Sequence, residues 1–225
     1  MSRFRQGSNT WSIVLAAGEG TRLRPLTRAL YGSDRPKQYC TLAGHQSLLA
    51  GTLRRSAEHA PEARTLVVVA TEHEAMAREE LRRHAPEAEL VLQPRNAGTG
   101  PGVLLPLSRV VAEDPGASVV ILPSDHYVKD DTGFTRSISR ALGRVRAAGS
   151  LVLVGAVAER PDEEYGWIVG QAAPAGEPRR VLAFSEKPSL RRAAELFETG
   201  ALWNTFVMVG EARRFWDLGV EHLPR

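Results

Sequence analysis

The feature that most restricts this chain is a rhythm. Short, unbroken apolar runs rich in β-branched residues recur at residues 11–17, 64–70, 118–123 and 150–158. A strand with one wet face alternates apolar and polar residues, whereas a continuous run suits a strand covered on both faces. Helical patterns stand between the runs. Residues 47–59 carry Leu49, Leu53 and Ala57 on one face, and residues 72–84 pair Glu74 with Arg78 and Glu79 with Arg83. Residues 102–113 and 132–148 complete the alternation. Strand and helix in turn predict an α/β fold: a doubly wound, mostly parallel, Rossmann-like sheet with helices on both faces and right-handed crossovers.

After about residue 160 the texture changes. Residues 166–171, 179–186 and 204–209 read as shorter strands, 174–178 as a turn, and 190–199 and 211–219 as helices. A smaller, mixed region on the same sheet is expected there, with residues 1–225 forming one domain. No internal repeat or low-complexity segment interrupts it.

Charge and cysteine usage exclude several classes of function. The net charge is only +3, and the arginine doublets Arg54-Arg55, Arg82-Arg83, Arg179-Arg180, Arg191-Arg192 and Arg213-Arg214 are scattered, mostly beside glutamates. They read as solvated helix faces rather than a stripe for nucleic acid, which is not an expected partner. Cys40 is the single cysteine, so neither a disulfide framework nor a cysteine metal site forms within the chain. Residues 1–10 lack an apolar signal core, and no run approaches the ~18 apolar residues of a membrane span. No membrane partner is expected, and the cytoplasm is the expected address. Of 29 basic residues only Lys37, Lys129 and Lys187 are lysine. Where arginine serves everywhere else, a lysine marks a place that needs a compact ammonium, unless its survival is chance.

The first run leads into Leu15-Ala16-Ala17-Gly18-Glu19-Gly20-Thr21-Arg22-Leu23-Arg24-Pro25-Leu26-Thr27. Gly18 and Gly20 let backbone approach a ligand, and successive amides there can cradle an anion; a plain tight turn is the alternative. Leu23 stands where a dinucleotide fingerprint needs glycine, and the Gly-Lys-Ser/Thr of a P-loop is missing.

The whole run resembles the signature of the sugar-phosphate nucleotidyltransferases. Further segments match in the same order: Arg35-Pro36-Lys37-Gln38-Tyr39, Gln93-Pro94-Arg95-Asn96-Ala97-Gly98-Thr99, Pro123-Ser124-Asp125-His126, Tyr165-Gly166-Trp167-Ile168, Glu186-Lys187-Pro188 and Trp203-Asn204. Within that family they are most similar to the mannose-1-phosphate guanylyltransferases. Three departures are visible. Ala97 replaces the usual arginine, and Thr205-Phe206 replaces the usual Ser-Gly. The third lies at the C-terminus.

The resemblance implies a reaction and a distribution of roles. A nucleoside triphosphate, GTP by the closest subfamily, reacts with a sugar 1-phosphate, mannose 1-phosphate by the same reasoning, releasing pyrophosphate with Mg²⁺ as cofactor. Such transfers need positioning and charge neutralisation rather than a covalent nucleophile. Residues 11–160 become the nucleotide-binding part and 161–225 the sugar-phosphate-binding part. Arg22 would hold the β- and γ-phosphates, and Lys37, behind the extended Pro36, would bridge the reacting phosphates. Asp125, at a carboxyl end of the sheet, would bind the metal, magnesium favouring a carboxylate or two with waters and phosphates. His126 beside it is read as supporting or structural. Leu15, Ala16, Ala17, Gly18, Gly20 and Thr21 would line the nucleoside and phosphates, with Gln93, Gly98 and Thr99 at the base. Gly166, Glu186, Lys187 and Asn204 would take the sugar phosphate.

Each position also has a structural alternative: a turn arginine, a loop lysine, a helix-capping aspartate, a strand-end amide, a solvated Glu-Lys pair. The alternative functions are the same reaction with another base or sugar (UTP, dTTP or CTP, a glucose-type sugar) and an inactive sugar-nucleotide-binding domain. Relatives of this kind carry a second metal aspartate in an Asp-x-Gly segment well beyond Trp-Asn. Here Asp217 fits only superficially, inside a helical pattern, so a catalytic unit incomplete at its C-terminus is expected.

Overall fold

Three of the apolar runs form central strands, and side-chain alternation feeds two cores. The computed structural model describes residues 9–94, 98–174 and 176–222. In β1 (Thr10–Leu15), β2 (Thr65–Ala70) and β4 (Ser118–Pro123), successive side chains point to opposite faces. Trp11, Ile13, Leu66, Val68, Val119 and Ile121 fill one core, closed by Leu107 and Val110 of α4 (Thr99–Glu113). Val14, Val67 and Val69 fill the other, against Leu49 and Leu53 of α2 (Leu48–Ser56) and Ala77 and Leu81 of α3 (Glu74–His84). Helices therefore cover both faces, as unbroken apolar runs require. With β3 (Glu89–Gln93) these strands form a parallel set in the order β3-β2-β1-β4.

That order makes a switch point. From β1 the chain moves outward through β2 to β3, then returns through α4 to place β4 on the other side of β1. Crossovers leave on opposite sides of the sheet there and open a crevice at the carboxyl ends of β1 and β4.

The helix α1 (Arg24–Tyr31) follows the glycine loop, with Pro25 in its first turn and Gly32, at φ 71°, closing it. Both signals were present in the sequence, although this helix was not among the expected ones. α4 begins at Thr99, earlier than the expected 102, because proline in a first turn costs no hydrogen bond and Pro101 lies there. α5 (Asp131–Ala148) is capped by the Asp130 side chain, which accepts from Gly133 N.

The chain forms two compact units, residues 1–152 with 208–225, and residues 153–207. The second holds β6 (Trp167–Gly170), β7 (Val181–Ser185) and α6 (Leu190–Glu198) around Trp167, Ala193 and Leu196. The full mixed sheet has eight strands in the order β3-β2-β1-β4-β8-β6-β7, with β5 (Val152–Val157) also paired to β8 (Leu202–Glu211).

The boundary expected near residue 160 thus falls between 152 and 153, and the last helix, α7 (Ala212–His222), belongs to the first unit. The reason is β8: Met208 to Glu211 pair antiparallel with β4, and Phe215 of α7 enters the core beside Leu107. The run at 150–158 departs from the expectation of a strand covered on both faces, since β5 is only half-buried and Val157 is exposed.

Candidate active site

The glycine loop is built from the carboxyl end of β1. Leu15 pairs in register with Pro123 of β4, so Asp125 follows just beyond the same edge. The Leu15 carbonyl accepts from both Ser124 N, at 3.0 Å, and Ser124 Oγ, at 2.7 Å. These bonds hold the loop and the Ser-Asp turn together across the crevice.

Gln38 fixes the rest of the loop. Its side chain is 2% exposed, and its Nε2 donates to Ala16 O and Gly18 O, each at 2.8 Å. Both amide hydrogens are thereby used on backbone carbonyls. Among the described residues, the amides of residues 17–20 form no backbone bond. Gly18 has no protein atom within 4 Å of where a Cβ would stand, so its lack of a side chain leaves open space at the crevice. Gly20 differs: its φ is 61° and a Cβ would lie 3.1 Å from Lys37 N and 3.2 Å from Lys37 Cγ. The loop therefore packs directly on the turn that carries Lys37.

Lys37 opens a 3-10 turn, Lys37–Tyr39, behind extended Pro36. Its Nζ lies 2.8 Å from Asp125 Oδ2, both side chains about a third exposed. The lysine and the aspartate assigned to one reaction centre from separate motifs are in contact. His126 Nε2 is 3.6 Å from Asp125 Oδ1, and burial pushes its pKa below the usual imidazole value. Arg55, buried on α2, approaches the His126 carbonyl at 3.4 Å and Asp131 Oδ1 at 3.4 Å, tying the metal-turn candidate to the start of α5.

Arg22 is exposed in the short 3-10 turn Thr21–Leu23. Gln93 ends β3 and is buried, its side chain lying against Gly102, while Thr71 Oγ1 donates to its carbonyl at 2.9 Å. Gly98, at φ 87°, stands at the N-cap of α4, and Thr99 is that helix's first residue. Arg95, Asn96 and Ala97 lie outside the described residues, as do Ala175 of the expected 174–178 turn and the terminal Pro224 and Arg225. Asp217 lies in α7, half-exposed, with Arg213 Nε donating to it at 2.8 Å, which is the surface-helix placement its pattern predicts.

In the second unit three of the four expected residues converge. A Cβ on Gly166 would stand 2.6 Å from Glu186 Oε2 and 3.4 Å from the Asn204 side chain. Asn204 N donates to Gly166 O at 2.7 Å. Glycine at 166 is therefore what allows the Glu186 carboxylate and the Asn204 side chain to lie so close to this backbone. Lys187 follows with φ 41°, a left-handed conformation uncommon outside glycine. Trp203 stacks at 4.9 Å from Tyr165 and 6.2 Å from Trp167, and Trp167 itself is core. Phe206 also has a left-handed backbone, φ 58°, with its N–H donating to Asn204 Oδ1 at 3.0 Å.

Sequence reasoning gave Gln38 no role. Its only signal was its place beside Lys37, since a glutamine in a loop reads as solvated until the carbonyls it reaches are known.

Comparison with known proteins bears on the family and the fold. The nucleotidyl transferase family matches residues 11–222. The chain is 33% identical over 210 residues to the alginate biosynthesis protein AlgA of Pseudomonas aeruginosa, covering 91% of this chain and 42% of that one. It is 32% identical over 211 residues to a mannose-1-phosphate guanylyltransferase of Salmonella montevideo, covering 90% and 43%. It thus spans less than half the length of these curated relatives. A crystal structure described as mannose-1-phosphate geranyltransferase, from Thermus thermophilus, superposes with a TM-score of 0.84 at 34% identity, over 96% of this chain and 61% of that one. On the residues matched and the fold shared, the chain belongs to the nucleotidyl transferase family.

Proposed function

We propose that this chain transfers a guanylyl group from GTP to mannose 1-phosphate, giving GDP-mannose and pyrophosphate, with Mg²⁺ as cofactor. The observation that carries this reading is the Lys37–Asp125 contact at the switch-point crevice, beside a glycine loop whose carbonyls are already bonded to protein. The names of the relatives supply the sugar and the base.

The donor set suits the metal in character. Asp125 offers hard carboxylate oxygens, partly exposed, at the end of a buried strand, and magnesium commonly takes one or two carboxylates with the remaining positions filled by water and phosphate. Among the described residues no cluster of three or more His, Cys, Asp or Glu exists to hold a metal without such help. Bound there, the ion would offset the triphosphate's negative charge.

The chain's own residues carry the remaining work. An oxygen of the sugar phosphate, already ionised, attacks the α-phosphorus, and the bond from that phosphorus to the pyrophosphate oxygen breaks. No general base is required. Lys37 neutralises the reacting phosphates, and Arg22 holds the departing pyrophosphate. Amides of the glycine loop orient the triphosphate, and Gln93, Gly98 and Thr99 take the base. Gly166, Glu186 and Asn204 receive the sugar hydroxyls, while Lys187 grips the sugar's phosphate.

The deciding assay offers GTP, ATP, UTP and dTTP against mannose and glucose 1-phosphates and reads pyrophosphate release with and without magnesium. GTP with mannose 1-phosphate should give the highest kcat/KM. Asp125→Asn should lower turnover by at least ~100-fold, the scale of one large electrostatic contribution of ~3 kcal/mol. Equal kcat/KM for UTP and GTP would remove the guanine assignment, and near-normal turnover of Asp125→Asn would remove the metal assignment.

A further inference from the structure

A cavity of about 560 Å³ lies within the first unit, between residues 43–55, which lead into and form most of α2, and the loop 126–131, which joins β4 to α5. The described residues of its wall include neither Lys37 nor Asp125 nor any of the glycine loop. Its size is that of a small-molecule site.

The charges around it do not cancel. Arg55 is 7% exposed, and a guanidinium so buried needs a matched charge. Asp131 Oδ1 supplies it at 3.4 Å, while Thr52 Oγ1 accepts from Arg55 at 2.8 Å and the His126 carbonyl at 3.4 Å. Arg54 bonds the same carboxylate through Oδ2, yet its side chain is 54% exposed. One carboxylate thus answers two guanidinia, and the surplus positive charge sits on the exposed one. Lys129 adds a second. It is exposed, lines the same cavity and forms no ion pair among the described residues. Of the three lysines in this arginine-rich chain, it is the one to which the proposed reaction gives no work.

The rest of the wall suits an organic body. Gly51 stands inside α2, where glycine costs about 0.5–1 kcal/mol against alanine. A Cβ there would lie 3.2 Å from Gln46 Nε2 and 3.4 Å from a terminal nitrogen of Arg55, so its absence lets both side chains lie against the helix backbone. Gln46 and Tyr127, whose ring is 64% exposed, put an amide and an aromatic face beside the two exposed cations.

We propose that this cavity binds a small phosphate monoester, its dianion held by Lys129 and Arg54 and its organic part by Gln46 and Tyr127. A phosphate monoester carries close to two negative charges at neutral pH and three acceptor oxygens, which matches two exposed cations. A monocarboxylate would leave one cation unanswered, and inorganic phosphate would leave most of the cavity unfilled. The monoester is either a sugar phosphate, whose hydroxyls would bond Gln46, or a nucleoside monophosphate, whose base would stack on Tyr127. The site is separate from the proposed reaction and stands or falls without it.

The test is calorimetric titration of the full chain with glucose 6-phosphate, AMP and inorganic phosphate, compared across wild type, Lys129→Gln, Arg54→Gln and Lys37→Ala. Lys129→Gln removes an exposed charge without an ion pair among the described residues, so the melting temperature without ligand should not change. At least one monoester should bind wild type with Kd below ~1 mM and more tightly than inorganic phosphate. Its affinity should fall about tenfold in Lys129→Gln and in Arg54→Gln, the effect of one bond to a charged ligand, and should be unchanged in Lys37→Ala. Tyr127→Ala should weaken AMP if the ligand is a nucleotide, and Gln46→Ala should weaken glucose 6-phosphate if it is a sugar phosphate. Four results would overturn the proposal: neither monoester binding, inorganic phosphate binding as well as both, affinity unchanged in either cation variant, or a loss in Lys37→Ala as large as in Lys129→Gln, which would put the ligand in the candidate active site.

Discussion

Replacing Gln38 with methionine keeps the volume and removes both donors, which isolates the bonds that shape the glycine loop. Ala16 is buried, so its carbonyl would lose the Gln38 bond, its one partner among the described residues, without reaching water. That loss carries the full desolvation penalty, about 1–3 kcal/mol. Gly18 is exposed, so water can replace the second bond, and its loss costs about 1 kcal/mol at most. The sum, about 1–4 kcal/mol, is a sizeable part of the 5–15 kcal/mol that holds a typical domain. Urea unfolding should show the fall as a lower midpoint with an unchanged slope.

A second variant tests the direction of the bonds. Gln38→Glu keeps the shape but presents a carboxylate to two carbonyl oxygens. Repulsion and burial would raise its folded pKa above the unfolded value. The proton that restores one bond is then present at low pH, and stability should fall as pH rises through the folded pKa. Wild type should show no such loss from this position. Nucleotide affinity should weaken in both variants, because the loop amides are no longer held. A Gln38→Met variant within ~0.5 kcal/mol of wild type, binding nucleotide normally, would refute the staple.

Three further outcomes are expected. Lys187→Ala should mainly raise KM for the sugar phosphate while Lys37→Ala lowers turnover with every sugar, and arginine should rescue neither, because a planar fork cannot replace a point charge in contact with Asp125; full activity of both arginine variants would defeat this. Phe206→Gly should leave unfolding free energy unchanged or raise it by up to ~1.5 kcal/mol, since a left-handed non-glycine residue costs about 1–2 kcal/mol and glycine's flexibility costs about 0.5–1; a loss above ~2 kcal/mol would show that Phe206 packing outweighs backbone strain. Burial pushes the His59 pKa down to about 4, with Nε2 unpartnered among the described residues. This group's contribution is therefore complete above pH ~6.5 and is lost as pH falls toward about 4, at about 1.4 kcal/mol per unit. Urea titrations at successive pH values should show a flatter profile in His59→Leu, and identical profiles would sink the assignment.

Three of the four parallel strands, the helices α2 to α5 and the chemistry-bearing motifs were legible in the sequence because their signals are local; β3 and α1 were not among the expected elements. An unbroken apolar run declares burial on both faces wherever it lies, and Lys37 and Asp125 stand out by residue type and neighbours alone. Register and distance are not local. Leu15 against Pro123 brings Lys37 to Asp125, and only the folded sheet sets that pairing. Gln38 looked like any loop amide until two carbonyls from a distant segment reached it. Tyr39 looked like plain core until its hydroxyl proved to have no partner among the described residues. The last strand gave no warning that its two ends would serve different units, because edge pairing depends on which neighbour remains unpaired once the parallel set has closed. Thr205-Phe206 was visible as a departure from Ser-Gly, but a sequence carries no φ. The left-handed bend that favours glycine at 206 emerges only where β8 turns about Asn204, whose side-chain oxygen holds the Phe206 amide.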